Sequence, residues 1–515
     1  MQGLHPFRHV GVGCLVAIVA SIGAARANAS VIHVPADHAT LKAAIAAAAN
    51  GDEIVVADGT YAGTDNRALD FGGKAVHLHS ANGAGACIID CELVDRAFVF
   101  QSGETSASIL EGFTITNAKP AGAATNGGAI LVNGVAAATA PIVRECVFVG
   151  NAAQNGGAIA VNGNAQPLIL ECTFQSNVAT AEAVTAFGGA VSLNGASVNA
   201  TIRDCAFATN SSGGGGAIHR AGLSVVTIDG CTFLNNSTNG NGGAISLTSA
   251  AVATVMNCRF AGNTSGGTGG GAVFCTSAGS NSTVVNCLFS GNKANSSGLG
   301  GGLLISTGSV HILNCTMAGN AAGAVNLGGA VAKLNGGTCI VHNSILWGNA
   351  GQQIQSPGAP TILVEHTIVQ GGFVGEGNLA TDPALVDLDG ADDVLGTLDD
   401  DLRVSGFSPA IDSGSNVDWN VPIDVDVAGL PRFYDEPFAP DFGEGRAPII
   451  DRGAHESQPA PPTCVQGDLD CDGDVDAADL GILLGAWGST DDGADLDDDG
   501  AVTASDLALL LGAWG

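Results

Sequence analysis

From Gly127 to Leu247 the apolar positions come in short alternating pairs, Ile130 with Val132, Ile159 with Val161 and Ile245 with Leu247, each entered through Gly-Gly-Ala. Alternation with a period of two predicts strands buried on one face, and the Gly, Asn and Ser stretches between them are too short for helices. A second apolar unit, Cys-x-Phe, recurs at Cys146, Cys172, Cys205, Cys231, Cys258 and Cys287, with Cys-x-Met at Cys315, at spacings of 26 to 33 residues. Five residues after each cysteine stands an asparagine: Asn151, Asn177, Asn210, Asn236, Asn263, Asn292 and Asn320, with Asn349 following Ser344 in the same way. Glycine pairs ending at Gly128, Gly157, Gly189, Gly216, Gly243, Gly271, Gly302 and Gly329 keep the same beat.

A repeat of this length implies a solenoid, whose units bury their apolar faces only by stacking. A leucine-rich repeat needs a regular LxxLxL frame, which no unit has. The pattern predicts instead an all-β, right-handed parallel β-helix of about a dozen rungs spaced roughly 4.8 Å apart. In such a stack Cys and Phe point inward as columns. Asparagine at a turn bonds the rungs above and below, and Gly-Gly permits a positive φ at a corner. In-register neighbours sit above the roughly 3.8 Å Cβ spacing of a disulfide, so the ladder cysteines are expected to be buried free thiols. The pairs Cys87/Cys91 and Cys464/Cys471 lie off the ladder and are the disulfide candidates.

Each end of a solenoid needs a cover. At the N-terminus, residues 30–52, an alanine-rich helix is expected from Thr40 to Ala49, with Leu41, Ala44, Ile45 and Ala48 on one face, before a first strand at Ile54–Val56. This opening, through "ADGTY", resembles the N-terminal cap of pectin-lyase-like β-helix proteins. "LEGFTITNA" at Leu110–Ala118 and the GGAI/CxFxxN rungs resemble secreted bacterial β-helix proteins and the repeat of chlamydial polymorphic membrane proteins. After the solenoid, residues 53–381, the rhythm stops. "DDDLRVSGFSPAIDSGSN" and "IIDRGAHE" then resemble the terminal region of choice-of-anchor Q proteins, over residues 382–456. Arg452 and His455 depart from that family's DIGAYE ending.

Charge divides the chain as well. Residues 382–515 carry 31 acidic against 4 basic side chains, −27 of the total −32. Such a chain repels nucleic acid and anionic lipid and suits divalent cations. Residues 1–29 read as a secretory signal peptide, with Arg8, an apolar run from Val10 to Gly23 and Ala27-Asn28-Ala29 as the cleavage signal. No later segment is apolar enough to span a membrane, so a secreted or cell-surface protein is expected.

Beyond a proline-rich linker at 457–463, residues 464–515 contain a direct repeat: "DLDCDGDVDAAD" (Asp468–Asp479) and "DLDDDGAVTASD" (Asp495–Asp506), each followed by a leucine run ending LLGAWG. Oxygen donors fall at the positions of a calcium loop. They are Asp468, Asp470, Asp472, Asp474, Asp476 and Asp479 in the first copy, and Asp495, Asp497, Asp499, Ala501 (by its carbonyl), Thr503 and Asp506 in the second, with Gly473 and Gly500 at the sharp turn. Asp replaces Glu at the last position, and no entering helix fits before the second loop. The pair resembles a dockerin, which implies calcium as cofactor and a cohesin-like or cell-surface protein as partner. Leu483, Leu484 and Trp487 are expected to pack against Leu510, Leu511 and Trp514.

No complete catalytic motif is legible. Glu145, Glu171 and Asp204 precede ladder cysteines on successive rungs, with Arg144, Arg203, His219 and Arg220 near in register, and could assemble a lyase site. His77 and His79 share a strand face but lack a third ligand, and Asp387, Asp389 and Asp392 could bind calcium. The sequence thus reads as an exported polysaccharide-binding or adhesive β-helix, with a polysaccharide lyase or glycoside hydrolase as the alternative.

Overall fold

The structure, a computed structural model, describes residues 29–514 except 123–124, 181–185, 196, 224, 250–251, 296–297, 325–326, 358–360, 418–423, 437–438, 459–466, 470–474, 490–493 and 498–499; in 277–280 it describes the backbone alone. The expected signal peptide, save Ala29, and the pair Cys464/Cys471 lie outside these residues.

Parallel strands from successive rungs stack into sheets of 22, 12 and 6 strands. One rung shows how sequence becomes shape. Strand Ile218–Ala221 and strand Val225–Asp229 lie in the largest sheet; the chain then turns, runs through Thr232–Leu234 in the second sheet, turns again, and passes Ser237–Thr238 in the third. Both corners need left-handed backbone. At the first, Gly230 has φ +61° and the equivalent residues Glu145, Glu171, Asp204, Asn257, Asn286, Asn314 and Asn343 lie between +47° and +54°. At the second, Asn235 (+52°) is matched by Gly262, Gly291, Gly319 and Gly348. Short polar residues and glycine tolerate this conformation best.

The two glycines of each GGAI unit have separate reasons. Gly215 takes φ +68°, whereas a Cβ on Gly216 would stand 1.9 Å from the Gly243 carbonyl oxygen of the next rung. In the last rungs Gly301, rather than Gly302, holds the second of these places, with Gly329 O 2.4 Å from its Cβ position.

Two ladders run through the stack. The rings of Phe148, Phe174, Phe207, Phe233, Phe260 and Phe289 stack at 4.6–4.9 Å with interplanar angles of 10° or less. Beside them, the buried asparagines form a continuous chain in which Asn236 Nδ2 donates to Asn263 Oδ1 at 3.0 Å and to Phe207 O at 2.9 Å, and Asn236 Oδ1 accepts from Asn210 N at 3.0 Å and Asn210 Nδ2 at 2.9 Å. The ladder cysteines are free and buried, as are Cys87 and Cys91, so that disulfide candidate is not formed. Burial pushes the Cys87, Cys91 and Cys339 thiols up to about 12.

The N-terminal cover contains one element more than expected. Strand Val31–Val34 pairs in parallel with Glu53–Val56 and precedes the helix, so the first rung begins before the cap. The helix is Leu41–Ala47, capped by Thr40, whose Oγ1 accepts from Ala43 N. At the far end, the described residues of 382–456 fold back along the flank of the later rungs. The column of residues after the ladder cysteines is half-buried at Thr173, Ala206, Thr232 and Arg259, then buried at Leu288, Thr316, Ile345 and Ile368. Leu288 and Ala318 pack with Leu402 and Ala454, and Ile345 and Ile368 with Ala410. Corner asparagines fasten this cover: Asn286 Nδ2 donates to Val425 O at 2.7 Å, and Asn343 exchanges two bonds with Ser415 at 2.8 and 2.9 Å.

Candidate ligand groove and candidate calcium loops

Where the flank cover ends, a cavity of about 720 Å³ opens between the β-helix and the folded-back segment. Arg203, Asp204, Asp229 and Arg259 line one wall, Val425–Gly429 and His455 the other. Arg259 is held by the cover, its Nη2 donating to Asp400 O at 2.7 Å. His455 Nδ1 lies 3.7 Å from Asp426 Oδ2. Burial of Asp426 opposes its charge, but His455 and the amides of Glu456 and Leu430 hold its carboxyl below the usual range. An imidazole backed by a buried carboxylate, facing a wall of arginines and aspartates, can bind hydroxyls and carboxylates and can accept a proton. His455 stood out in sequence only as a departure from a family ending, and Asp426 not at all, because nothing periodic brings residue 426 to rungs 203–259.

The acidic column does not converge as a whole: of its residues only Asp204, with Arg203, lines the groove. Glu145, Glu171 and Asp204 are exposed at left-handed corners, where the residue type is set by the turn. Arg144 instead pairs with Glu111, and Arg203 with its neighbour Asp204. His219 and Arg220 are buried on a different strand: His219 stacks on Phe187 at 4.2 Å, and burial, with Arg220 beside it, pushes its pKa down to about 3. Glu171→Gly is therefore expected to leave urea-unfolding stability unchanged or raise it by up to about 1 kcal/mol, since a non-glycine residue in this conformation costs about that much. A loss larger than 1 kcal/mol would show that the carboxylate makes a contact of its own.

His77 and His79 do acquire a third potential ligand, Glu53, one rung earlier; one donor atom of each lies within 4.8 Å of the others. The donors are already engaged in ion pairs, however: His79 Nε2 with Glu53 at 2.7 Å and His77 Nε2 with Glu111 at 2.7 Å. Asp387, Asp389 and Asp392 do not converge among the described residues; Asp392 Oδ1 accepts from Val394 N, and Asp399 Oδ2 from Asp392 N.

The described ends of the paired C-terminal loops repeat their geometry along with their sequence. Each leads into a helix, Ala477–Gly485 and Ala504–Ala513, through a capping box made by Asp476 with Asp479 and by Thr503 with Asp506. Asp479 accepts from Leu469 N at 2.6 Å and Asp476 N at 2.7 Å; Asp506 accepts from Leu496 N and Thr503 N, both at 2.7 Å. Both carboxylates are fully buried, and the Thr503 amide foremost holds Asp506 below the usual carboxylate range. In the second loop one oxygen from each of Asp495, Asp497 and Asp506 lies within 4.8 Å of the others. Calcium takes oxygens at 2.3–2.6 Å, so ligands on opposite sides of one ion stand about 5 Å apart, and this donor set fits. Of the predicted ligands, Asp470, Asp472, Asp474 and Asp499 lie outside the described residues; Asp468, Asp476, Ala501 and Thr503 lie within them.

The expected helix packing is corrected in part. Leu483 and Leu510 are buried with Val475, Ala494 and Val502, whereas Leu484, Trp487, Leu511 and Trp514 are 44–52% exposed. Adjacent helical residues point about 100° apart, so Leu483 and Leu484 cannot share one interior.

The chain belongs to the family defined by a right handed beta helix region, whose pattern it matches over residues 31–240 and 189–369. Two solved structures are similar in course: pectate lyase Pel9A, 12% identical, spanning 83% of this chain and 96% of that one with a TM-score of 0.38, and the catalytic unit of a thermostable GH87 alpha-1,3-glucanase from Streptomyces thermodiastaticus strain HF3-3, 15% identical, spanning 66% and 65% with a TM-score of 0.34. No curated protein matches the sequence. Among the described residues no helix is long and apolar enough to cross a membrane.

Proposed function

We propose that the protein is an exported, surface-associated β-helix that binds polysaccharide and is held in place through residues 464–515, a calcium-dependent module that docks onto a cohesin-like partner. The observation that carries the docking part is the twofold recurrence of one loop geometry: a buried terminal aspartate spans the second and ninth amides of each loop, and the two helices leave Ile482, Leu484, Trp487, Leu511 and Trp514 uncovered. Thirteen aspartates and no basic residue fall in these 52 positions. Without cations the carboxylates repel one another around a core of a few leucines and valines, so metal binding supplies much of the folding free energy.

Hydrogen exchange of the full chain tests this. In calcium the amides of both C-terminal helices should be protected; in excess chelator they should exchange at the rate of an unfolded segment, while residues 130–369 keep their protection. Asp468→Ala and Asp495→Ala should each remove one bound calcium. Helices equally protected in chelator would sink the docking reading.

The enzymatic alternative is favoured by one feature, His455 over the buried Asp426 in the groove. In that reading His455 is the proton acceptor of a polysaccharide lyase or hydrolase, and depolymerisation should vanish in His455→Ala. Binding without depolymerisation leaves the groove as a recognition site.

A further inference from the structure

The turn at Asp412 buries a charge that its surroundings do not balance. Its main chain is fixed: φ is +46°, the N–H donates to Asp451 Oδ1 at 2.7 Å, and the carbonyl accepts from the Phe442 and Gly443 amides at 2.9 and 3.0 Å. The side chain is fully buried, and neither carboxylate oxygen is hydrogen-bonded. The Glu436 amide lies near enough to favour the charged form without reaching bonding geometry. A buried, unpartnered carboxylate is among the costliest arrangements a fold can carry.

Two more carboxylates are aimed at the same spot. Asp435 and Asp441 each bring an oxygen to within 4.8 Å of Asp412 and of each other. Burial and these two neighbours push the Asp412 carboxyl up to about 6, and Glu436 adds a fourth negative charge. The buried cations of the region face elsewhere: Arg432 is 3.7 Å from Glu456 and donates to Gly453 O, and Arg452 donates to Ser413 O and Gly377 O. Three oxygens within 4.8 Å of one another suit a hard cation that takes ligands at 2.3–2.6 Å; zinc would ask for nitrogen or sulfur at closer quarters, and magnesium for a stricter octahedron.

We propose that Asp412, Asp435 and Asp441 form a calcium site, distinct from the two C-terminal loops, that ties Asp435 and Asp441 to the turn at Asp412. It does not rest on the docking reading. The ion replaces the missing hydrogen bonds of Asp412 and relieves the repulsion among the three carboxylates.

The test uses the full chain carrying Asp468→Ala and Asp495→Ala, which disables both C-terminal loops, with calcium as the probe. Equilibrium dialysis should find one calcium per chain at about 1 mM, the upper end of the range for extracellular modules, and calcium should slow proteolytic cleavage next to Asp441. Asp435→Asn and Asp441→Asn, at exposed positions that the fold does not need, should each weaken binding at least tenfold, and Asp412→Asn should abolish it. If Asp412→Asn fails to fold, the two exposed variants still decide. Absence of bound calcium at 10 mM, or affinity unchanged in both exposed variants, would overturn the site. If the unmodified chain also binds just one calcium, the docking reading falls and this site stands.

Discussion

Asn236→Ala is expected to destabilise the solenoid by about 4 kcal/mol, because one truncation breaks bonds on two neighbouring rungs. It takes the acceptor from the Asn210 amide and one of two from Asn210 Nδ2, which keeps Phe174 O, and a donor from the Phe207 carbonyl and from Asn263 Oδ1, which keeps Asn236 N. All these groups lie in the interior, with Asn210, Asn236 and Asn263 fully buried. An orphaned buried polar group costs about 1–3 kcal/mol, and relaxation recovers part of the sum. Urea unfolding followed by circular dichroism measures the loss, with Thr232→Ala, half-buried on the outer face, as a control expected within about 0.5 kcal/mol. A loss below 1 kcal/mol would mean that water enters the column and replaces the amide.

Phe233→Ala should cost about 3–5 kcal/mol by a different route. Its ring touches Phe207 at 4.9 Å and Phe260 at 4.8 Å, nearly parallel to both. Those two rings are fixed by their own rungs, so they cannot slide together to fill the hole. Because each repeat contacts only its neighbours, the damage should stay local. Hydrogen exchange should accelerate in rungs 205–289 and leave the N-terminal cap unchanged. Equal losses in Phe233→Ala and Thr232→Ala would show that the inward assignment of the phenylalanine column is wrong.

Both ladders were legible in sequence because a solenoid repeats its environment: Phe233 and Asn236 each see the same neighbours as their counterparts one rung away, so the same residue returns. The corner before each cysteine was half legible. Its run of Glu145, Glu171 and Asp204 suggested chemistry, until the dihedrals showed one backbone requirement met in turn by Glu, Asp, Gly and Asn. Non-repeating contacts left no trace. Arg259 meeting Asp400, Asn343 meeting Ser415 and His455 meeting Asp426 join residues that no period relates. The same holds for Asp412, to which no period relates its neighbours Asp435 and Asp441. In the C-terminal repeat the loops were readable, since ligand spacing is local, but the sequence did not distinguish buried Leu483 from exposed Leu484.

The flank cover divides the solenoid into two parts with different freedom to change over generations. Between Cys146 and Leu170, ahead of the groove, the outer column is clear of the cover, so duplication or loss of a whole rung in the gene lengthens or shortens the stack and disturbs only the two rungs at the junction. From Asn286 to Asn343 the corner asparagines meet Val425 and Ser415 at fixed separations. An added rung there would carry each anchor about 4.8 Å past its partner. Descendants of this gene should therefore vary in rung number ahead of the cover and hold it constant beneath.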